Sequence, residues 1–550
     1  MKPDKLFWDC TIHFSEYPNI IKSIFKKYYL KERNNFVNWM ELISVEYKDD
    51  IDWWSSPPAS RNLYYSNLYK NICILKTISS FQKYRKIKLY IRVDSINLKK
   101  IIIKNFKKEF VEVEYFANKK KKLHLVNHIK ISIYFVTQFC LLKFLSLFKN
   151  YKYNTINIID TFVINSETKE KYYYGKLRNY LNKNLTKTFF IPTIIENNFF
   201  KFFKISFSLF KDKNFLFKEI YTKIDDIFFC ILYILRKKKF DKRFVKFQNY
   251  NLSSLINEEI NQNNDLYTVF ISIYNYRFAK KISLGSVKIK KIVNWFENQS
   301  IDKGWNFGFR KFYPKLKTIG YQGFTSQPEY MYTLPTLYEK KYKIIPDQIV
   351  TVGKNFINTK KEFCRSLDIV SGPALRFDDL FISSKRLKKN FKIVLFLEGA
   401  SEKNDKELIL KFIEISKQFP KLTFYIKQHP SLILKKNLKL PNNFVLLGNK
   451  FSFIAKRTLI AVAYGNTSVT LESLAYGCKL LVPIDNFFDR LNLKKLNIPN
   501  NLYRVCSNQN DIFNAINFFL NKKNKKNYNK VVLRNKLFNK VTSKNVKVLI

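Results

Sequence analysis

The residues best placed to do chemistry lie in GNTSVTLESLAYG, residues 465–477. An apolar run, LIAVAYG, ends at Gly465, and a second, KLLVP, opens at Lys479. Between them Asn466, Thr467 and Ser468 supply the side-chain types that cap helix N-termini. Glu472 falls in the first turns of the predicted helix, and Gly477 ends it. The pattern predicts strand, tight glycine turn, helix, strand. A helix fed by a parallel strand leaves free N–H groups and the positive end of its dipole at a crevice, which is a place to hold a phosphate. Ser468 and Glu472 are one helical turn apart and share a face. A carboxylate one turn beyond a phosphate can accept hydrogen bonds from ribose hydroxyls, so the segment has the parts of a nucleotide-sugar site. Plain helix capping, with the Glu favoured by the dipole, is the alternative reading.

Other candidates sit at the ends of apolar runs. His429, in KQHPS, is followed by Pro430, which biases it away from the α region and aims the imidazole at the crevice, for a hydrogen bond or a positive charge to phosphate. Glu398 and Gly399, in FLEGAS, read as a phosphate approach by the glycine backbone with a donor or acceptor contact by the Glu, or as an ordinary turn. Arg376, in SGPALRFDDL, offers a charge-assisted phosphate contact, with Asp378 and Asp379 as rival partners. Glu297, in VNWFENQSIDKGW, is the candidate general base for an acceptor hydroxyl. Gln322 and Gly323, in KTIGYQGF, and Trp53 and Trp54, in WWSSPPASRNLYY, are the acceptor-side candidates, the tryptophans by ring stacking or else as core.

These residues need a scaffold of strand ends. In the second half, IVTVGKNF, KIVLFLEGAS, LTFYIKQHPS, NNFVLLG, TLIAVAYG and KLLVPI are short apolar runs with helical segments between several of them. That alternation predicts a doubly wound α/β domain, whose ligands bind outside the carboxyl ends of the strands. In the first half, KIKLYIRVD (86–94), TINIIDTFVI (155–164), LYTVFISIYNY (266–276) and KTIGYQGF (317–324) are strand candidates, and the stretch from KNLTKTFF to the basic FDKRF reads as helical. The division expected is an N-terminal Rossmann-like acceptor domain with helical insertions over 1–340, a C-terminal nucleotide-sugar domain over 341–525, and a basic tail or helix over 526–550.

Composition sets limits on partners. The net charge is +56 over 550 residues. The lysines are spread along the whole chain and accompany Asn, Ile, Phe and Tyr, a balance typical of a low-GC genome, so no nucleic-acid partner is expected. A surface this basic does favour peripheral contact with anionic lipid. The seven cysteines form no CxxC pair, and with the four histidines they make no zinc spacing, which predicts a reduced, cytoplasmic protein with no metal or cofactor. The start of the chain has no apolar leader region. ISIYFVTQFCLLKFLSLF (131–148) contains Gln138 and Lys143 and reads as a buried or interfacial helix, not a membrane span.

Together, WWSSPPASRN, INIIDTFVINS, YYYGKLRNYL, WFENQSIDKGW, IGYQGF, SGPALRF, KQHPS and GNTSVTLESLAYG resemble bacterial surface-carbohydrate (lipopolysaccharide, O-antigen or capsule) biosynthesis proteins of the GT-B glycosyltransferase type. The HP pair and the Ser/Thr helix start are also similar to bacterial sialyltransferases and Kdo transferases. That resemblance implies two Rossmann-like domains across a cleft, no obligatory metal, and His429 with Thr467–Ser468 on the phosphate of a CMP-sugar. The acidic pair plus glycine of such sialyltransferases is not evident in the first domain, so UDP- or GDP-sugars stay open as donors. The implied activity is transfer of a sugar to a glycan or lipid-linked glycan at the inner membrane face. A same-fold sugar-nucleotide 2-epimerase and a non-catalytic basic membrane- or nucleic-acid-binding protein are the alternatives.

Overall fold

The computed structural model describes residues 5–12, 14–84, 87–116, 124–149, 154–181, 185, 187–236, 245–262, 265–326, 330–382, 387–399, 402–429, 439–465, 467–484, 493–521 and 529–550. A small parallel sheet of β1 (Lys5–Asp9), β2 (Lys88–Val93) and β3 (Val111–Tyr115) packs on the long helix α1 (Asn19–Glu46) and on α2 (Leu68–Tyr84).

The first large sheet holds β4 (Thr155–Val163), β5 (Thr188–Ile194), β6 (Lys288–Trp295), β7 (Thr318–Gln322), β8 (Gln348–Thr351) and β9 (Asp368–Ser371) in the order β9-β8-β7-β6-β4-β5, all parallel. Its strands read as near-continuous apolar runs because helices cover both faces. The order reverses between β4 and β6, so the crevice of this sheet opens at their carboxyl ends. The second large sheet holds β10 (Phe391–Phe396), β11 (Phe424–Lys427), β12 (Phe444–Leu446), β13 (Thr458–Val462), β14 (Lys479–Pro483) and β15 (Tyr503–Cys506), in the order β12-β11-β10-β13-β14-β15. This is the dinucleotide-fold order, with its switch point between β10 and β13. Two Rossmann-like sheets are the α/β, GT-B-like architecture expected.

Three readings of the sequence are corrected. Residues 266–276, read as a strand, belong to helix α6, defined below: buried Leu266, Val269, Phe270, Ile273 and Phe278 recur at helical spacing, and packing overrides their β-propensity. TFFIPTI (188–194), read as helical, is β5, an edge strand that tolerates Pro192. The expected start of the second unit at 341 falls inside the first sheet, because β8 and β9 pair onto β7. The tail or helix expected at 526–550 contains a helix, Lys530–Leu537: Leu533, Leu537 and Phe538 bury in the second unit, and Val541, Val546 and Leu549 return to the core of the first.

The helices that matter below are α3 (His124–Leu147), α4 (Phe199–Phe210), α5 (Ile224–Ile231), α6 (Leu266–Ser283), α7 (Ser300–Phe312), α8 (Glu402–Ser416), α9 (Val469–Ala475) and α10 (Lys530–Leu537). α6 and α7 pack closely because Gly304 faces the Ser272 carbonyl, where a Cβ would lie 1.9 Å from the oxygen.

Candidate functional site

Glu297 leaves the sheet two residues past the end of β6, at the switch point of the first sheet. Its carboxylate is half-buried and accepts hydrogen bonds from Trp295 Nε1 at 2.7 Å and Gln299 Nε2 at 2.8 Å. Its own N–H donates to Asp302 Oδ2 at 2.8 Å. The turn is set by Asn298, in the left-handed region at φ 62°, whose side-chain amide donates to Glu339 Oε2 at 3.2 Å. Glu339 in turn is buried between Arg61 at 3.1 Å and Lys303 at 2.9 Å, and these two cations hold its carboxyl at about 2 despite burial.

The wall beside Glu297 is aromatic. The Tyr173 ring, in the segment after β4, meets Trp295 edge-on at 4.7 Å. Arg376, just past β9, lies over this wall, its guanidinium 4.9 Å from the Tyr172 ring and 5.7 Å from Trp295. It is half-buried and has no hydrogen bond or ion pair among the described residues. Among the described residues Arg376 forms an ion pair with neither Asp378 nor Asp379, and Asp378 pairs with Lys176 at 3.1 Å. Gly175 makes this approach possible: at φ 50° its missing Cβ would sit 2.2 Å from the Leu375 carbonyl oxygen.

From the second unit α9 joins the same place, since the segment around Arg376 packs on it. Glu472 lies within electrostatic reach of Arg376: burial pushes its carboxyl up, and Ser468 and Arg376 pull it back. Ser468 Oγ donates to Glu472 Oε1 at 2.7 Å, so the two do share a face. Neither Thr467 nor Ser468 makes the expected cap. Ser468 is the N-cap in helical conformation with no cap bond, and Thr467 Oγ1 turns to the Tyr464 carbonyl at 3.2 Å. Gly465 is buried in the turn after β13, and Asn466 lies outside the described residues.

A second group forms at the ends of β10 and β11. Gly399, at φ 67°, faces His429 so closely that a Cβ would lie 2.4 Å from the imidazole-bearing Cβ. That approach is the reason for the glycine. The backbone N–H groups of Glu398 and Gly399 are taken by the Asp405 carboxylate of α8, at 2.9 and 3.1 Å, so the Gly399 N–H is already used and the turn reading holds for this backbone. The Glu398 side chain accepts from Asn404 at 2.7 Å. Burial, with Lys427 nearby, pushes the His429 imidazole down, which favours the hydrogen bond over the positive charge of the two expected roles. Pro430 lies outside the described residues.

The acceptor-side candidates move to other roles. Trp53 and Trp54 are buried in the core, their indole N–H groups donating to Ser44 Oγ and the Lys48 carbonyl, both at 3.0 Å, so neither can stack on a sugar. Gln322 is buried beneath the site, and neither of its amide atoms has a partner among the described residues. Gly323 is a seat for Trp295, whose ring carbon lies 2.2 Å from where a Cβ would be. The exposed aromatics are instead Tyr64 and Tyr65, at the end of the same motif. The sequence reading missed Trp295, Tyr172, Tyr173 and Lys360. Lys360 is buried, donates to the Thr333 carbonyl at 2.9 Å, and is pushed down by burial to about 7, with Glu297 acting the other way.

No family model and no curated protein matches the chain. Among solved structures it is similar to the glycotransferase of kitacinnamycin, at 9% identity and TM-score 0.42, over 72% of this chain and 98% of that one. It is similar to the UDP-GlcNAc 2-epimerase from Neisseria meningitidis bound to UDP-GlcNAc, at 13% identity and TM-score 0.39, over 72% and 98%. It is similar to MurG of Acinetobacter baumannii at 9% identity and TM-score 0.35, over the same shares. At these identities the functional reading has to be built from the chain's own residues.

Proposed function

We propose that this chain is a glycosyltransferase that moves a sugar from a nucleotide-sugar donor to a hydroxyl of a surface glycan or lipid-linked glycan. One observation carries the reading: the Arg376 guanidinium, without a carboxylate partner among the described residues, lies on the Glu297 platform of one sheet, in a segment that packs on the helix of the Ser468–Glu472 turn of the other. Glu297 takes the acceptor proton as general base, held in place by Trp295 and Gln299. Arg376 meets the charge that develops on the leaving phosphate. Ser468 adds a hydroxyl there, Glu472 takes the ribose, and neutral His429 contributes a hydrogen bond. Tyr64 and Tyr65 offer rings to the acceptor. A CMP-sugar is the favoured donor, on the sequence resemblance, and the inner membrane face is the proposed place of work.

The test is a thermal-shift screen of CMP, UDP, GDP and CDP on wild type, Arg376→Ala and His429→Ala. Saturation at one hundred times Kd adds about 2.7 kcal/mol of stability. A shift for one nucleotide that Arg376→Ala abolishes supports the reading. No shift with any of them refutes it. Conversion of a nucleotide sugar at equal rate with and without acceptor would refute transfer and favour a 2-epimerase.

A further inference from the structure

Several of the exposed large apolar side chains of the first unit lie on neighbouring helices. α3 packs on α4 and on α5. Two lysines of the α3 region fix that arrangement. Lys143 Nζ donates to the carbonyls of Glu219 at 2.6 Å and Thr222 at 3.1 Å, at the entry to α5. Lys149 Nζ donates to the carbonyls of Leu209, Asp212 and Phe215 at 3.2, 2.8 and 2.7 Å, at the exit from α4. Each helix turns one face inward: Phe135, Phe139 and Leu142 on α3, Phe202 and Ile205 on α4, Ile227 on α5.

The opposite faces are also apolar and lie open. Ile133 and Phe144 on α3, Phe200 and Phe203 on α4, Phe228 on α5 and Leu235 just beyond it are all exposed, Phe200 by 81% and Leu235 by 78%. Soluble surfaces scatter such residues singly; a cluster calls for a partner. α3 is apolar enough over Val126–Leu147 to cross a membrane, with a mean hydropathy of 1.4, yet its inner face and both lysine clamps are committed to this unit.

The charge says what the partner is. Residues 124–149 and 199–211 contain no Asp or Glu, and Lys130, Lys201 and Lys204 stand exposed among the aromatic residues. The exposed Asp225 is answered by Arg277 and Lys281. The described cavity at these helices is about 50 Å³ and is lined by their inner faces, too small to seat a peptide. We infer that α3, α4 and α5 form one lipid-docking face that lies in the interface of an anionic bilayer, with the Phe rings at acyl depth and the lysines at the headgroups. The inference stands on this surface alone and does not need the cleft to transfer sugar.

The experiment is co-sedimentation of the full chain with phosphatidylcholine vesicles and with vesicles also containing phosphatidylglycerol. Binding to the anionic vesicles, weakening as salt rises, is expected. Lys201→Gln with Lys204→Gln should reduce it by about fivefold per lysine and leave any residual binding to phosphatidylcholine unchanged. Phe200→Ser with Phe203→Ser, both exposed positions, should reduce binding to anionic vesicles by about tenfold or more. Nucleotide thermal shifts read the cleft separately and stay as in wild type. Wild-type binding that neither double variant changes would overturn the inference. So would resistance to alkaline carbonate, which means a span, or a dimer that Phe200→Ser with Phe203→Ser converts to monomer in a chain that binds no vesicle.

Discussion

Replacing Glu297 by Gln should separate catalysis from binding. The carboxylate accepts one hydrogen bond on each oxygen, from Trp295 at 2.7 Å and from Gln299 at 2.8 Å. In Glu297→Gln one oxygen remains to accept from the indole. The new amide meets Gln299, whose own amide can turn over and present its oxygen. Both contacts survive in that arrangement, so folding risks at most the net worth of one hydrogen bond, about 1 kcal/mol. The proton acceptor itself is gone. Loss of a positioned general base costs about 10²–10⁴ in rate, or about 3–5 kcal/mol of barrier. The assay is nucleotide release from the donor that the thermal-shift screen selects, with water or glycan as acceptor. Donor Kd by calorimetry and thermal unfolding are measured alongside. The expected result is a kcat lower by about two to four orders of magnitude with Kd changed by no more than about twofold. A kcat within about tenfold of wild type would refute Glu297 as the base. A Kd that rises in step with the lost activity would refute the division of labour between the two sheets.

Three further outcomes follow from the same geometry. Arg376→Ala removes a charge-assisted phosphate contact worth about 1.5–3 kcal/mol and should weaken nucleotide binding by about 10–100-fold in calorimetry, with little change in unfolding temperature, since the guanidinium has no ion pair among the described residues. Glu339→Gln strips the buried Arg61 and Lys303 of their anion and should cost about 3–5 kcal/mol in urea unfolding. Because the folded carboxyl sits at about 2 and an ordinary one near 4.5, the wild-type contribution is full above about pH 4.5 and is lost as pH falls toward 2, a slope that Glu339→Gln should lack. Gly323→Ala drives a methyl into the Trp295 and Tyr321 rings, which would lie 2.2 and 2.5 Å away, and should cost about 1–3 kcal/mol and alter Trp fluorescence.

The parallel strands were legible because a strand covered on both faces leaves a continuous apolar run, as at TINIIDTFV and KLLVP. Residues 266–276 misled for the same reason: a fully buried helix shows apolar residues on more than one face, and its β-branched content imitates a strand. The unit boundary was not legible, since β8 and β9 differ in nothing local from the strands of the second sheet and only pairing assigns them. The strand-end rule pointed to Glu398–Gly399, His429–Pro430 and Gly465–Ser468, while Arg376 was singled out by its charge and Glu472 by its spacing from Ser468. It could not say which hydrogen bonds were already spent. The Gly399 backbone read as open to a phosphate, but Asp405, further along the chain, takes its N–H together with that of Glu398. Trp53 and Trp54 failed because large aromatic side chains are core far more readily than they are platforms.

The motifs that carried the family resemblance fall into two physical sets. YYYGKL, SGPALRF and IGYQGF meet at the aromatic wall: Gly175 admits Leu375, Tyr172 supports Arg376, and Gly323 seats Trp295. WWSSPPASRN and the latter half of WFENQSIDKGW meet elsewhere, at buried Glu339. Arg61 and Lys303 pair with its carboxylate, and the Lys303 ammonium also donates to the Ala59 carbonyl at 2.6 Å. This second set is buried, and Asn298 links it to the site. Its amide is held by Glu339, its backbone is fixed in a left-handed turn, and Glu297 precedes it directly. A left-handed Asn costs conformational energy that the buried carboxylate offsets. The frame therefore acts on the base through one backbone turn, and its loss should cost rate beyond the loss of stability. In Glu339→Gln, the folded fraction that survives should show a lower kcat at unchanged donor Kd, the pattern of a displaced base and not of a damaged nucleotide site.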